Sequence, residues 1–331
     1  MGELVASILP RSLLSPGVTR LLHLLPLAAL LAFAVGAAST GTAAPGTSVV
    51  LAKVKVGGQP CGVVGTPSGV WVADYAGNRL VRIDPAAGAV AGEVPGVRSV
   101  CELTYARGAL WAPSRTGTLY RVDPVAAKIT ARIPLGGELV DVVAAGGSVW
   151  VVSYGGRSVI RVNPRSNRVA RRIALPGARG GGSGITSAGG AVWVGQTQGT
   201  GVYRIDPRRN RAAAVRTGKL GPAWLSSSGD AVWLSNIYDN TVQRLDAATR
   251  KVTATVEVRA VPVNLEVVGA DVWVPNDVSN VVTRIDRTSA QIVEVIETAR
   301  NPAVVAGWDG DAWVTMLDAG EVWQLRPPRA P

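Results

Sequence analysis

Gly146-Gly147-Ser148-Val149-Trp150-Val151 is the stretch on which the reading of this chain turns. Two glycines, which bend the backbone without steric cost, run straight into a Val-Trp-Val segment suited to a strand. The tryptophan returns at Trp71, Trp111, Trp150, Trp193, Trp233, Trp273 and Trp313, at spacings of 40, 39, 43, 40, 40 and 40 residues. A period of this length marks a repeat architecture and overrides the two-domain expectation that 331 residues would otherwise raise.

Outward from the tryptophan, each unit reads as four short strands. In the first unit, Cys61 to Val64 precedes the tryptophan and Val70 to Val72 surrounds it. Asp74 to Asn78 is a turn cluster, Leu80 to Ile83 is the next strand, and Ala89 to Val94 follows the Asp84-Pro85 turn. Four strands per forty residues, separated by Gly, Pro, Asn and Asp, describe one blade of a β-propeller. The last unit stops after its third strand near Leu325 and enters Pro327 and Pro328, while Ser48 to Val56 is a β-rich run that belongs to no complete unit. The expectation is an all-β, seven-bladed β-propeller of four-stranded blades over residues 48–326, with the last blade closed by the N-terminal strand and 327–331 as a tail. Six units end their third strand in Arg-x-Asp or Arg-x-Asn, beginning at Arg82, Arg121, Arg161, Arg204, Arg244 and Arg284. Such regular repetition is expected of a structural device, with the carboxylate or amide accepting turn amides.

The first residues differ from the repeats. Arg11 and Arg20 precede the apolar run Leu21 to Ala38, followed by Ser39, Thr40 and Gly41, so residues 1–37 read as a secretory signal peptide and 38–47 as a linker. Left uncleaved, the run is just long enough to anchor the chain in a bilayer. Either outcome puts the remainder outside the cytoplasm, secreted or periplasmic. Cleavage removes two arginines and one glutamate and lowers the net charge from +11 to +10. Cys61 and Cys101 each lie ten residues before a repeat tryptophan, which makes them a candidate disulfide between adjacent blades; free buried thiols are the alternative.

The recurring pattern of Val-Trp-Val, an Asn or Asp turn, and Arg-Ile-Asp-Pro resembles the repeat of the YVTN-type and streptogramin B lyase-like (virginiamycin B lyase-like) seven-bladed propellers. The resemblance covers about Ser48 to Leu325 and implies that fold. It also implies, for the lyases, a histidine pair and a glutamate around Mg²⁺ that remove a proton beside a carbonyl. The only histidine of this chain is His23, inside the signal peptide, so no lyase residue carries over and no catalytic residue is assigned.

Function is therefore sought where the repeats differ. Eight residues before each tryptophan the side chain is always apolar, from Val63 to Val305, as expected of packing between blades. The opposite phase is smaller and polar and includes Glu102, Asp141, Trp224, Asn264 and Glu266, which are candidates for the mouth of a central channel. Their oxygens suit Ca²⁺ or Mg²⁺, or a cationic group beside Trp224; holding water and inner-strand amides is the structural alternative. Tyr75, Tyr154 and Tyr238 recur four to five residues after their tryptophans and are candidates for an aromatic rim. From Arg157 to Lys219 there are twelve arginines and one lysine against Asp206 alone, which makes blades three and four basic. Arg165, Arg168, Arg171, Arg172, Arg208, Arg209, Arg211 and Arg216 are the candidate patch for nucleic acid or another polyanion, or else a charged edge that resists pairing. Gly180, Gly181 and Gly182 lengthen the loop between these blades. The resulting expectation is a monomeric binding or scaffold module that uses its channel face for a small ligand or a protein. A streptogramin lyase-like enzyme, another metal-dependent lyase or hydrolase, and a polyanion binder are the alternatives.

Overall fold

In the computed structural model, residues 46–177 and 182–328 are described. The expected signal peptide, most of the linker, His23, Gly180, Gly181 and the last three residues lie outside them. The described chain forms 28 strands in seven four-stranded antiparallel sheets, with no helix among them. Blade one comprises Pro60–Thr66, Gly69–Asp74, Arg79–Asp84 and Ala89–Pro95 in sequence order, and the next five blades repeat that order. First strands of successive blades touch one another around the ring, so they line the axis while fourth strands form the rim.

Blade seven is assembled from both ends of the described chain. Its first three strands are Pro302–Trp308, Asp311–Met316 and Glu321–Arg326, and its outer strand is Val49–Lys55, paired antiparallel from Val49↔Arg326 to Lys55↔Glu321. Joining the two ends in one sheet closes the ring with a backbone ladder.

Each repeat tryptophan is sealed at the centre of its blade, with no more than 1% of its surface exposed. In six blades the arginine of the third strand stands directly across the ladder from it, as in Trp150↔Arg161 and Trp273↔Arg284, and in blade seven Gln324 stands across from Trp313. The guanidinium groups of Arg121, Arg161, Arg244 and Arg284 lie 5.2, 5.0, 5.7 and 5.5 Å from the ring centres of Trp111, Trp150, Trp233 and Trp273. These arginines also reach into the following blade. Arg161 Nη1 donates to Pro207 O at 2.9 Å and to Asn210 Oδ1 at 3.0 Å, and Arg121 Nη1 does the same to Pro164 O and Asn167 Oδ1. In the last complete blade, Arg284 pairs with Asp271 at 2.8 Å and with Glu294, and donates to Ser48 beside the closing strand.

The acidic residue two places on serves its own turn. Asp84, Asp123, Asp206 and Asp286 each accept two backbone amides of the hairpin that follows, and Asn163 and Asp246 play the same part. Those amides hold the Asp123 and Asp286 carboxyls below their ordinary range. The Arg-x-Asp motif is thus a device for packing blade on blade.

Cys61 and Cys101 form a disulfide with a Cα–Cα distance of 4.9 Å, tying blade one to the segment that enters blade two. Gly62 permits that approach, since a Cβ there would stand 1.8 Å from the Cys101 carbonyl oxygen. Two measurements check this frame. Trp150→Ala is expected to cost about 3–5 kcal/mol in denaturant unfolding, and Arg161→Ala, which loses charged hydrogen bonds at the blade boundary, about 1.5–3 kcal/mol. Replacing both cysteines by serine opens a crosslink across 40 residues, with an expected loss of about 4 kcal/mol on the chain-entropy account.

Candidate functional site

The side-chain alternation of the inner strands decides what reaches the axis. Residues eight before each tryptophan, Val63, Leu103, Val142, Ile185, Leu225, Leu265 and Val305, are buried, and their neighbours on either side carry the polar groups. All seven inner segments enclose a cavity of ≈ 280 Å³ on the axis. Glu102, Thr104, Asp141, Thr186, Ser226, Ser227, Asn264 and Glu266 supply its polar lining, and among the described residues no lysine or arginine contributes to it.

These groups link the blades as well as facing the cavity. Asp141 accepts the backbone amides of Val142 at 2.6 Å and of Ile185, in the next blade, at 2.8 Å. Ser226 donates to Glu266 at 3.1 Å, and Thr186 donates to Ser227 at 2.9 Å, each across a blade boundary. Asn264 hydrogen-bonds Glu102 from the far side of the ring, while its Oδ1 finds no donor among the described residues.

Burial dominates the acidity of all three acids. It pushes the Asp141 carboxyl up to about 7 against the pull of its two amide donors, with Glu266 adding to the rise. It pushes Glu266 up to about 7 against the Ser226 hydroxyl. Glu102, only 8% exposed, is held well above the carboxylate range by burial and by Asp141, although Arg115 and Asn264 oppose this. Among the described residues no three acids or thiols stand in a cluster able to hold a metal ion.

The aromatic candidates lie at one end of the channel. Tyr154, 3% exposed, and Trp224, 6% exposed, pack in one apolar cluster with Ile237 and Leu317, and Tyr75 leans on it from the edge. Arg115 stands 6.0 Å from the Tyr75 ring centre and pairs with Glu138 at 3.3 Å. Tyr238 is the outermost, 38% exposed. None of these residues lines the cavity, which runs from Glu102, Asp141 and Asn264 toward Gly65, Ser227 and Gly307. By register the aromatic residues sit toward the turns that join second to third strands, whereas the cavity lies toward the turns that join first to second strands. Asp277 lies in the same turn layer as Tyr154. It is 2% exposed, and burial, with Asp318 nearby, pushes it up to about 7.

The eight candidate arginines of blades three and four are on the rim, remote from the axis. Arg168, Arg171 and Arg172 belong to the outer strand Arg168–Ala174, Arg211 and Arg216 to Arg211–Arg216, and Arg165, Arg208 and Arg209 to the adjoining turns.

Sequence reasoning placed the polar phase of the inner strands but missed two features. One is the Glu102–Asn264 contact, between residues far apart in sequence. The other is the reach of Arg121, Arg161, Arg244 and Arg284 beyond their own blades. Neither leaves a local mark, because each partner is a residue type common in turns or strands.

No protein-family profile matches the chain. No curated protein matches it either. Among solved structures it is similar to Kuenenia stuttgartiensis hydrazine synthase, with a TM-score of 0.69 at 13% identity over 82% of this chain and 96% of that one. At that identity the likeness concerns the fold.

The acids give the site a pH signature. Asp141 and Glu266 hold their protons to about 7 in the folded protein against ordinary values of 3.8 and 4.5. Between these limits the folded state binds more protons, so its stability is greatest below the unfolded values and falls as pH rises to about 7. Urea unfolding at successive pH values should show this decline, and Glu266→Gln should flatten it.

Proposed function

We propose that this propeller is a binding module that works outside the cytoplasm and takes a small cationic ligand into its channel. The observation that carries the reading is the charge balance of the cavity: three carboxyl groups, Glu102, Asp141 and Glu266, line one space to which no cationic side chain among the described residues contributes. A buried carboxylate is tolerated when a proton or a counter-charge accompanies it. Near neutral pH, where Asp141 and Glu266 are poised at about 7, a bound cation displaces those protons and supplies the counter-charge. The cavity volume, ≈ 280 Å³, lies at the small end of ligand pockets and suits a short alkylammonium compound.

The oxygen-only donor set also makes Ca²⁺ or Mg²⁺ an occupant to be tried, held with water completing its shell. The histidine pair of the streptogramin lyases has no counterpart after His23, and the reading is one of binding without turnover. The disulfide Cys61–Cys101 accords with an oxidising compartment, as do the leader-like residues 1–37.

Calorimetric titration with short alkylammonium chlorides, CaCl₂ and MgCl₂ tests the reading. Binding by one of these probes at pH 8, about tenfold weaker in Glu266→Gln and weaker again at pH 5, is the expected result. Affinity unaltered in Glu266→Gln and Asp141→Asn, or no binding by any probe, would remove the channel from consideration.

A further inference from the structure

The rim of blades two to four carries a charge that the packing does not use. Outer strands Lys128–Pro134, Arg168–Ala174 and Arg211–Arg216 contribute Lys128, Arg132, Arg168, Arg171, Arg172, Arg211 and Arg216, all exposed. The turns beside the latter two add Arg165, Arg208 and Arg209. Arg172 donates to the Leu135 carbonyl and Arg209 pairs with Asp206 at 2.8 Å. Among the described residues, Arg165, Arg168, Arg171, Arg208, Arg211 and Arg216 have no acid in ion-pair distance. The opposite rim is mixed in sign: its outer strands Val252–Glu257 and Ile292–Glu297 contribute Glu257, Glu294 and Glu297 beside the exposed Arg250, Lys251, Arg259 and Arg300. The third-strand arginines Arg121, Arg161 and Arg244 clamp one blade to the next, whereas among the rim arginines Arg172 alone is shown to do so. Like charges so grouped repel one another, and the structure gives no internal return for that cost.

We propose that this belt docks the phosphate backbone of double-stranded DNA, without reading its sequence. One observation favours a duplex over a single strand. The belt carries no aromatic side chain on its outer strands, and single-stranded binders depend on base stacking against such residues. A strand edge of seven residues stands about 20 Å tall. Along that height duplex DNA presents on the order of a dozen charges, so phosphate is in excess over the free guanidinium groups.

The test compares two fourfold charge reversals of the full chain freed of its leader. Arg168, Arg171, Arg211 and Arg216 are changed to Glu in one variant; Arg250, Lys251, Arg259 and Arg300, exposed on blades five and six, are changed to Glu in the other. Both alter the net charge equally. Binding of a labelled mixed-sequence duplex of roughly 20 base pairs is followed by anisotropy between about 50 and 200 mM salt. The expected result is a steep salt dependence, a loss of at least about tenfold in the belt variant, a log–log salt slope smaller by about 0.9 for each phosphate contact removed, and little change in the second variant. A belt variant carrying Lys at the same four places keeps most of the affinity and shows that a misfolded rim is not the cause of any loss. Equal losses in the two reversal variants would reduce the effect to net charge and overturn the proposal. Tighter binding of a single strand, or capture by phosphatidylglycerol vesicles with no duplex binding, would overturn it as well. Neither outcome bears on the channel, whose acids the variants leave untouched.

Discussion

The antiparallel pairing of Val49–Lys55 with Glu321–Arg326 is the contact on which the rest of this protein depends. Seven sheets arranged about an axis meet their neighbours mostly through side chains, with few backbone bridges such as Gly184 N to Ala223 O at 2.7 Å. Without Val49–Lys55, blade seven would have three strands and an open outer edge at Glu321–Arg326. Placing the N-terminal strand there makes opening the ring cost a whole strand ladder. The disulfide between Cys61 and Cys101 reinforces the joint that comes next in the ring. Within the closed ring, the buried tryptophans and the arginines stacked on them repeat the same contact from blade to blade.

Closure also creates the conditions for chemistry at the axis. Inner strands forced together leave room for glycine at some points, such as Gly62 and Gly184, where a Cβ would strike the neighbouring strand. Elsewhere they leave a cavity whose walls are shared by all blades. Acids placed there lose water on every side. Their raised pKa values are a property of the ring more than of the residues, since each is surrounded by strands from other blades. The aromatic cluster of Tyr154 and Trp224 sits toward the opposite turn layer and gives the cavity a direction. The rim, by contrast, is free of packing demands, and there charge can accumulate on one side.

Much of this was legible in the order of residues. The recurrence of Trp71 through Trp313 is legible because a blade is a local structure, complete within about forty residues. The orphan run Ser48 to Val56 and the truncated last unit together identified the closing strand, since an unmatched half at each end has one way to pair. The equivalence of Cys61 and Cys101 suggested their bond for the same reason. Glu102, Asp141, Asn264 and Glu266 were found by their phase against the tryptophan, and the structure brings them to one cavity. Their direction along the axis was not legible. Phase tells which way a side chain points within its blade, while the open end of the channel depends on how turn residues from several blades fill the other.

The sequence by itself determined the repeat, the count of blades, the closure and the structural use of Arg-x-Asp, because each rests on short-range periodicity or on a pattern copied seven times. Only the tertiary structure decided that Glu102 meets Asn264 across the ring, that Tyr154 and Trp224 are buried together, and that Arg121, Arg161 and Arg244 grip the next blade. Those contacts join residues from different blades, and a repeating sequence does not encode the distance between its copies. That distance is set when the ring closes.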